Sequence, residues 1–158
     1  MATPTYTALA TYTVPSGGVA SVTFASIPGT YRDLVLIVNC KPEGTGGKDL
    51  VMKFNGDSSN YSRVLMYGDG SSTVATTASS IIAQYNDQND FEIGISHIMD
   101  YSQTNHHKTV LTRTNDSDIV VSAQAQRWAS TAAITSINLA YSVDIAEGSV
   151  LSLYGIVS

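Results

Sequence analysis

The sequence predicts an all-β fold: an antiparallel β-sandwich of the jelly-roll kind, a single domain over residues 1–158 with about ten short strands. Two observations predict it. Aliphatic, Thr and Tyr residues recur in short runs separated by Gly, Pro, Asn, Asp and Ser, at spacings of roughly 8 to 15 residues. Helix signals are nearly absent, and neither an internal repeat nor a linker interrupts the pattern.

Tyr6–Val14 alternates, and Pro15-Ser16-Gly17-Gly18 turns it into Val19–Phe24. Asp33–Cys40 reads as a central strand, because Leu34 to Val38 is apolar without a break. In Asp49–Asn55, Leu50, Met52 and Phe54 alternate with Val51 and Lys53. Tyr61–Tyr67 follows, then a polar stretch from Gly68 to Ser80. Thr77–Tyr85 has the spacing of a helical turn or two, and Ser130–Ala133 that of a short 3₁₀ segment. Phe91–Met99 places Phe91, Ile93, Ile95 and His97 on one face and Glu92, Gly94, Ser96 and Ile98 on the other. His107–Thr114 and Ile119–Gln126 form a hairpin around Asn115-Asp116-Ser117-Asp118. In Ile134–Tyr141 the set Thr135, Ile137, Leu139 and Tyr141 is the buried face by its apolar content. Ser149–Val157 is the last strand.

Composition narrows the function. Charged residues are 13% of the chain, about half the usual share. Such a surface suits packing against other protein. A net charge of −5 and a pI near 4.9 speak against nucleic acid as a partner. No apolar run approaches the roughly 20 residues of a membrane helix. No secretory signal is visible in Met1–Tyr12. The single cysteine, Cys40, reads as a half-buried strand residue rather than a reactive thiol.

The segment Lys53–Gly70, KFNGDSSNYSRVLMYGDG, gathers Asn55, Asp57, Asn60 and Asp69. Calcium on Asp57, Asn60 and loop carbonyls is one reading, but Gly56 sits too early for an EF-hand loop and no Glu follows. Tight turns are the stronger reading: Gly56 supplies a positive φ, and the Asn and Asp side chains bond their own backbone. No metal or other cofactor is expected. His106 and His107 are strand neighbours facing opposite ways, so they do not chelate one ion, although their titration would make assembly pH-sensitive. Asp87, Asp90 and Glu92 are the only carboxylate group suggesting glycoside hydrolysis, and without further signals the chain reads as non-enzymatic.

Trp128, the only tryptophan, has two readings: a core residue with Arg127 stacked or paired beside it, or with Arg127 an interface anchor. Tyr61, Tyr67, Tyr85 and Tyr101 are further anchor candidates if exposed, and could stack on sugars.

Five stretches, VTFASIP (22–28), TYRDLV (30–35), FNGDSSNYS (54–62), RWASTAAITSI (127–137) and SLYGI (152–156), carry a family likeness. Through them the chain resembles small β-sandwich virion proteins of tailed bacteriophages, cyanophages among them. The resemblance implies a structural role, either as a capsid decoration (cement) protein on the major capsid protein or as a tail-fibre-tip module that recognises host glycan. No coiled-coil heptads accompany the strands, which favours decoration. The expected setting is the capsid exterior of the virion, after synthesis in the host cytoplasm. The chain is expected to form a dimer or trimer, with Met1–Thr5 as an arm.

Overall fold

Side chains on a strand alternate between two faces, so a chain of short alternating runs buries its apolar residues by laying one sheet over another. The computed structural model describes residues 5–85, 90–115 and 120–157 and realises this with twelve strands. They are β1 (Tyr6–Thr13), β2 (Val22–Phe24), β3 (Asp33–Cys40), β4 (Leu50–Phe54), β5 (Tyr61–Gly68) and β6 (Thr73–Ala78), followed by β7 (Ile81–Gln84), β8 (Glu92–Met99), β9 (Lys108–Asn115), β10 (Val121–Trp128), β11 (Ile137–Ala140) and β12 (Val150–Ile156).

One sheet has eight strands in the order β1-β12-β3-β8-β9-β10-β5-β6, and the other four in the order β2-β11-β4-β7. All pairings are antiparallel. The pairs β1·β12, β2·β11, β3·β8 and β4·β7 are nested, as in a long hairpin folded over on itself. That nesting is the jelly roll. The remaining strands, β9-β10-β5-β6, extend the larger sheet past these four pairs, with Val110, Trp128 and Tyr61 still packed in the core.

The core lies between the sheets. Leu34, Leu36, Val38, Leu151, Leu153 and Ile98 of the large sheet meet Leu50, Met52, Phe54, Ile81, Ile137 and Leu139 of the small one. Cys40 is fully buried rather than half-buried, and burial pushes its thiol up to about 12. Of the set read as buried in Ile134–Tyr141, Ile137, Leu139 and Tyr141 are buried; Thr135 is exposed and Ile134 is buried in its place, because the strand begins only at Ile137.

The count of about ten strands is corrected to twelve by β6 and β7. β6 lies within the polar stretch and shows no apolar alternation because both its faces are largely exposed. The helical turn expected over Thr77–Tyr85 is the end of β6, a bend and β7. Ala78, Ile81, Ile82 and Tyr85 imitate helical spacing, but all four residues of β7 are buried because the strand is enclosed on both sides. Ser130–Ala133 carries no 3₁₀ turn; it is an irregular segment in which Ser130 Oγ accepts from the Ala132 N–H. The turn expected at 115–118 lies, but for Asn115, outside the described residues, as does all of the expected arm except Thr5.

Where the small sheet stops at β7, the large sheet turns polar side chains inward. The Gln126 amide stands in for a neighbouring strand: its Oε1 accepts from the Ile82 N–H at 2.7 Å and its Nε2 donates to the Ile82 carbonyl at 2.9 Å. Thr112 takes a further bond from Gln126 at 2.7 Å and pairs with Ser96 at 2.8 Å. Lys108 is also fully buried, its ammonium donating to the carbonyls of Gln103, His106 and Thr131 and so tying together the loops beside β9 and β10.

Candidate functional site

The predicted anchors divide into three groups. Trp128 is 3% exposed, Tyr61 8% and Tyr101 0%, so all three belong to the core and none presents a ring to a partner. Trp128 packs on Phe54 with ring centroids 5.6 Å apart and lies near-parallel to Tyr61 at 6.4 Å. The Tyr61 hydroxyl accepts from the Phe54 N–H and donates to the Asp57 carbonyl. Tyr101 donates its hydroxyl proton to the Pro28 carbonyl.

The Asn-Asp loop is bound to this cluster. Asn55 and Gly56 have φ of 52° and 73°, and the Asp57 N–H bonds the Phe54 carbonyl at 2.9 Å. Positive φ at both central residues makes a type I′ turn. The Asp57 carboxylate accepts from the Ser59 N–H and hydroxyl on one oxygen, and from the Asn60 amide and the Trp128 indole N–H, at 2.8 Å, on the other. The residues proposed for calcium are thus the buckle that fastens the loop to Trp128. Asp69 repeats the device with Ser71 and Ser72.

The Trp128 indole first, then the Ser59 N–H, hold the Asp57 carboxyl at about 2. A carboxyl held below its unfolded value near 4 adds stability above that value, and the contribution is lost as pH falls through the folded pKa. The melting temperature is therefore expected to fall between pH 4 and 2, and less steeply in Asp57→Asn. Identical melting profiles over that range would contradict the assignment.

The other titratable candidates are dispersed. Glu92 is 1% exposed on the inner face, beside Gln84, whereas Asp90 is exposed; Asp87 lies outside the described residues. His106 approaches Asp100 at 3.7 Å, His97 approaches Asp33 at 3.5 Å, and His107 is exposed. Among the described residues no three His, Cys, Asp or Glu side chains gather as a metal site.

Tyr67 and Tyr85 are half-buried and stack with centroids 5.5 Å apart. Arg127 is exposed on the outer face of the large sheet. That outer face is the feature the sequence did not disclose. Pairing sets Ile37, Ile95, Arg113, Ala123, Met66 and Ala75 in one row across six strands. Val64, Leu111, Ile93 and Val121 lie in the flanking rows, and each of them, with Met66, is between 44% and 63% exposed. With Ile37 these side chains expose on the order of 500 Å² of apolar surface, near the apolar share of the roughly 800 Å² that one partner gives to a standard interface. A groove of about 900 Å³ runs between Met66, Ala75, Ile93 and Val121. Arg113 and Arg127 are the cations of this face, and among the described residues no carboxylate lies within ion-pair distance of either.

The signal was present in β8, where Ile93 and Ile95 face outward while Glu92, Gly94 and Ser96 face in. Alternation defines two faces but not which one meets solvent. Compared with known proteins, the chain matches no family model, and no curated protein matches it.

Proposed function

We propose that the protein is a non-enzymatic structural component of a tailed-phage virion, a decoration protein that lies on the outside of the mature capsid and docks on the major capsid protein through the outer face of its eight-stranded sheet. The observation that carries the reading is that face itself: a broad, half-exposed apolar surface on a chain with few charges. Contacts of that kind are little screened by salt, and a partner that binds only the mature lattice stabilises it by linkage. Arg113 and Arg127, unpaired among the described residues, suit a partner surface bearing carboxylates. Self-association into a dimer or trimer would multiply such contacts.

The test is co-sedimentation of the purified protein with mature heads stripped of it and with unexpanded proheads. Saturable binding to mature heads alone, lost in Met66→Lys and Leu111→Lys, is the expected result. Absence of binding to either particle overturns the reading.

The stacked Tyr67–Tyr85 pair favours a second reading, a tail-fibre-tip module stacking its rings on host glycan. Glycan-array binding that disappears in Tyr67→Ala would support it.

A further inference from the structure

A sheet edge exposes unpaired N–H and C=O groups, and proteins shield such edges with short strands, bulges, charges, Pro or a covering group. The two sheets of this protein have four edge strands, β1, β6, β2 and β7. Three carry a shield. β2 has three residues. β1 has a register shift between Ala8 and Ala10, which marks a bulge at Leu9. The backbone of β7 is covered by the Gln126 amide at Ile82.

β6 has none. It pairs with β5 in unbroken register from Thr73↔Gly68 to Ala78↔Arg63. Its sequence, TVATTA, holds no charge, no Pro and no Gly, and five of its six residues are exposed. Among the described residues no hydrogen bond reaches its outer side.

We infer that β6 is a self-association edge, pairing antiparallel with β6 of a second copy about a twofold axis to join two eight-stranded sheets into one. The occupant follows from symmetry and charge. Antiparallel pairing about an axis normal to the sheet keeps each face on its own side, so directly opposed residues must share a face. Ala75, opposite Met66, and Val74, opposite Tyr67, mark the outer and inner faces. Either Ala75 or Thr76 then lies on the axis. In the first register Val74 meets Thr76 and Thr73 meets Thr77; in the second Ala75 meets Thr77 and Val74 meets Ala78. Every opposed pair is small or β-branched, which suits cross-strand packing. An edge free of charge lets two copies of a chain carrying −5 meet without opposing like charges. The apolar row through Arg113, Ala123 and Met66 ends at Ala75, so pairing here continues the outer face without a break into its copy.

The inference stands independently of the capsid reading, because its test uses the purified chain alone. Sedimentation velocity over a concentration series is expected to move the mass from 16.7 kDa to twice that value. Ala75→Lys and Thr76→Lys should remain monomeric at every concentration with the wild-type melting temperature, and Thr11→Lys on β1 should dimerise as the wild type does. A wild type that stays monomeric at the highest concentration reached overturns the inference. So does a dimer that survives both lysines on β6, since its interface lies elsewhere. Loss of assembly in Thr11→Lys as well would mean head-to-tail pairing of β1 with β6, which also overturns the twofold.

Discussion

Replacing Trp128 by alanine is expected to lower the stability of the fold by about 3–5 kcal/mol, the range for removing a large buried aromatic. The indole is the third ring of a cluster with Phe54 and Tyr61 and the donor that fixes Asp57. The loss therefore combines a cavity with a freed loop. Trp128→Phe keeps most of the ring packing and removes the indole donor, and should cost about 1–3 kcal/mol, within the range for a broken hydrogen bond to a charged group plus a small void. Urea unfolding followed by far-ultraviolet circular dichroism measures both. An interface anchor would behave differently, with alanine leaving the midpoint unmoved and weakening association. A midpoint shift below that of Trp128→Phe would contradict the packing described above.

Gly94→Ala is expected to destabilise by about 3 kcal/mol, the upper end for overpacking, although it adds one methyl group. At this point the edge of the small sheet rests on the large one. A Cβ on Gly94 would stand 2.1 Å from the Ala83 carbonyl oxygen and 3.0 Å from Val38 Cγ2. The first obstacle is backbone, so no rotamer change relieves it; β7 must move off β8. Amide exchange should rise in Ile81–Gln84 before the rest of the sheets. A variant within 0.5 kcal/mol of wild type, the range of harmless surface changes, would mean that β7 and β8 are further apart than described.

The sandwich was legible in the sequence where its strands have one side in the core. Leu34–Val38 announces a central strand, and the jelly-roll order follows the expectation. Legibility fails where that condition fails. β6 has little of either face buried and reads as a polar loop, while β7 is enclosed on both and imitates a helix. β9 and β10 turn Thr112, Thr114, Gln124 and Gln126 inward; Thr112 and Gln126 serve the backbone of the β7 edge, and Thr114 and Gln124 bond Ser122. The apolar outer face is the other half of that inversion. In the loop, Asn55-Gly56 signals a turn by itself, but the role of Asp57 depends on an indole 71 residues away, which local pattern cannot supply.

The pairing of β1 with β12 has a kinetic consequence. Tyr6 lies opposite Ile156, so the first strand described must wait for the last before it finds its neighbour. During synthesis β8, β9 and β10 can zip up as a local meander as soon as they leave the ribosome, whereas β1 and β2 stay open until the far end of the chain arrives. Closing so long a loop is slow, and folds ruled by distant pairings complete in milliseconds to seconds rather than microseconds. For that interval the YTALATYT segment is an uncharged, unpaired strand, and its capture by β12 is the step that ends the chain's exposure to misassembly.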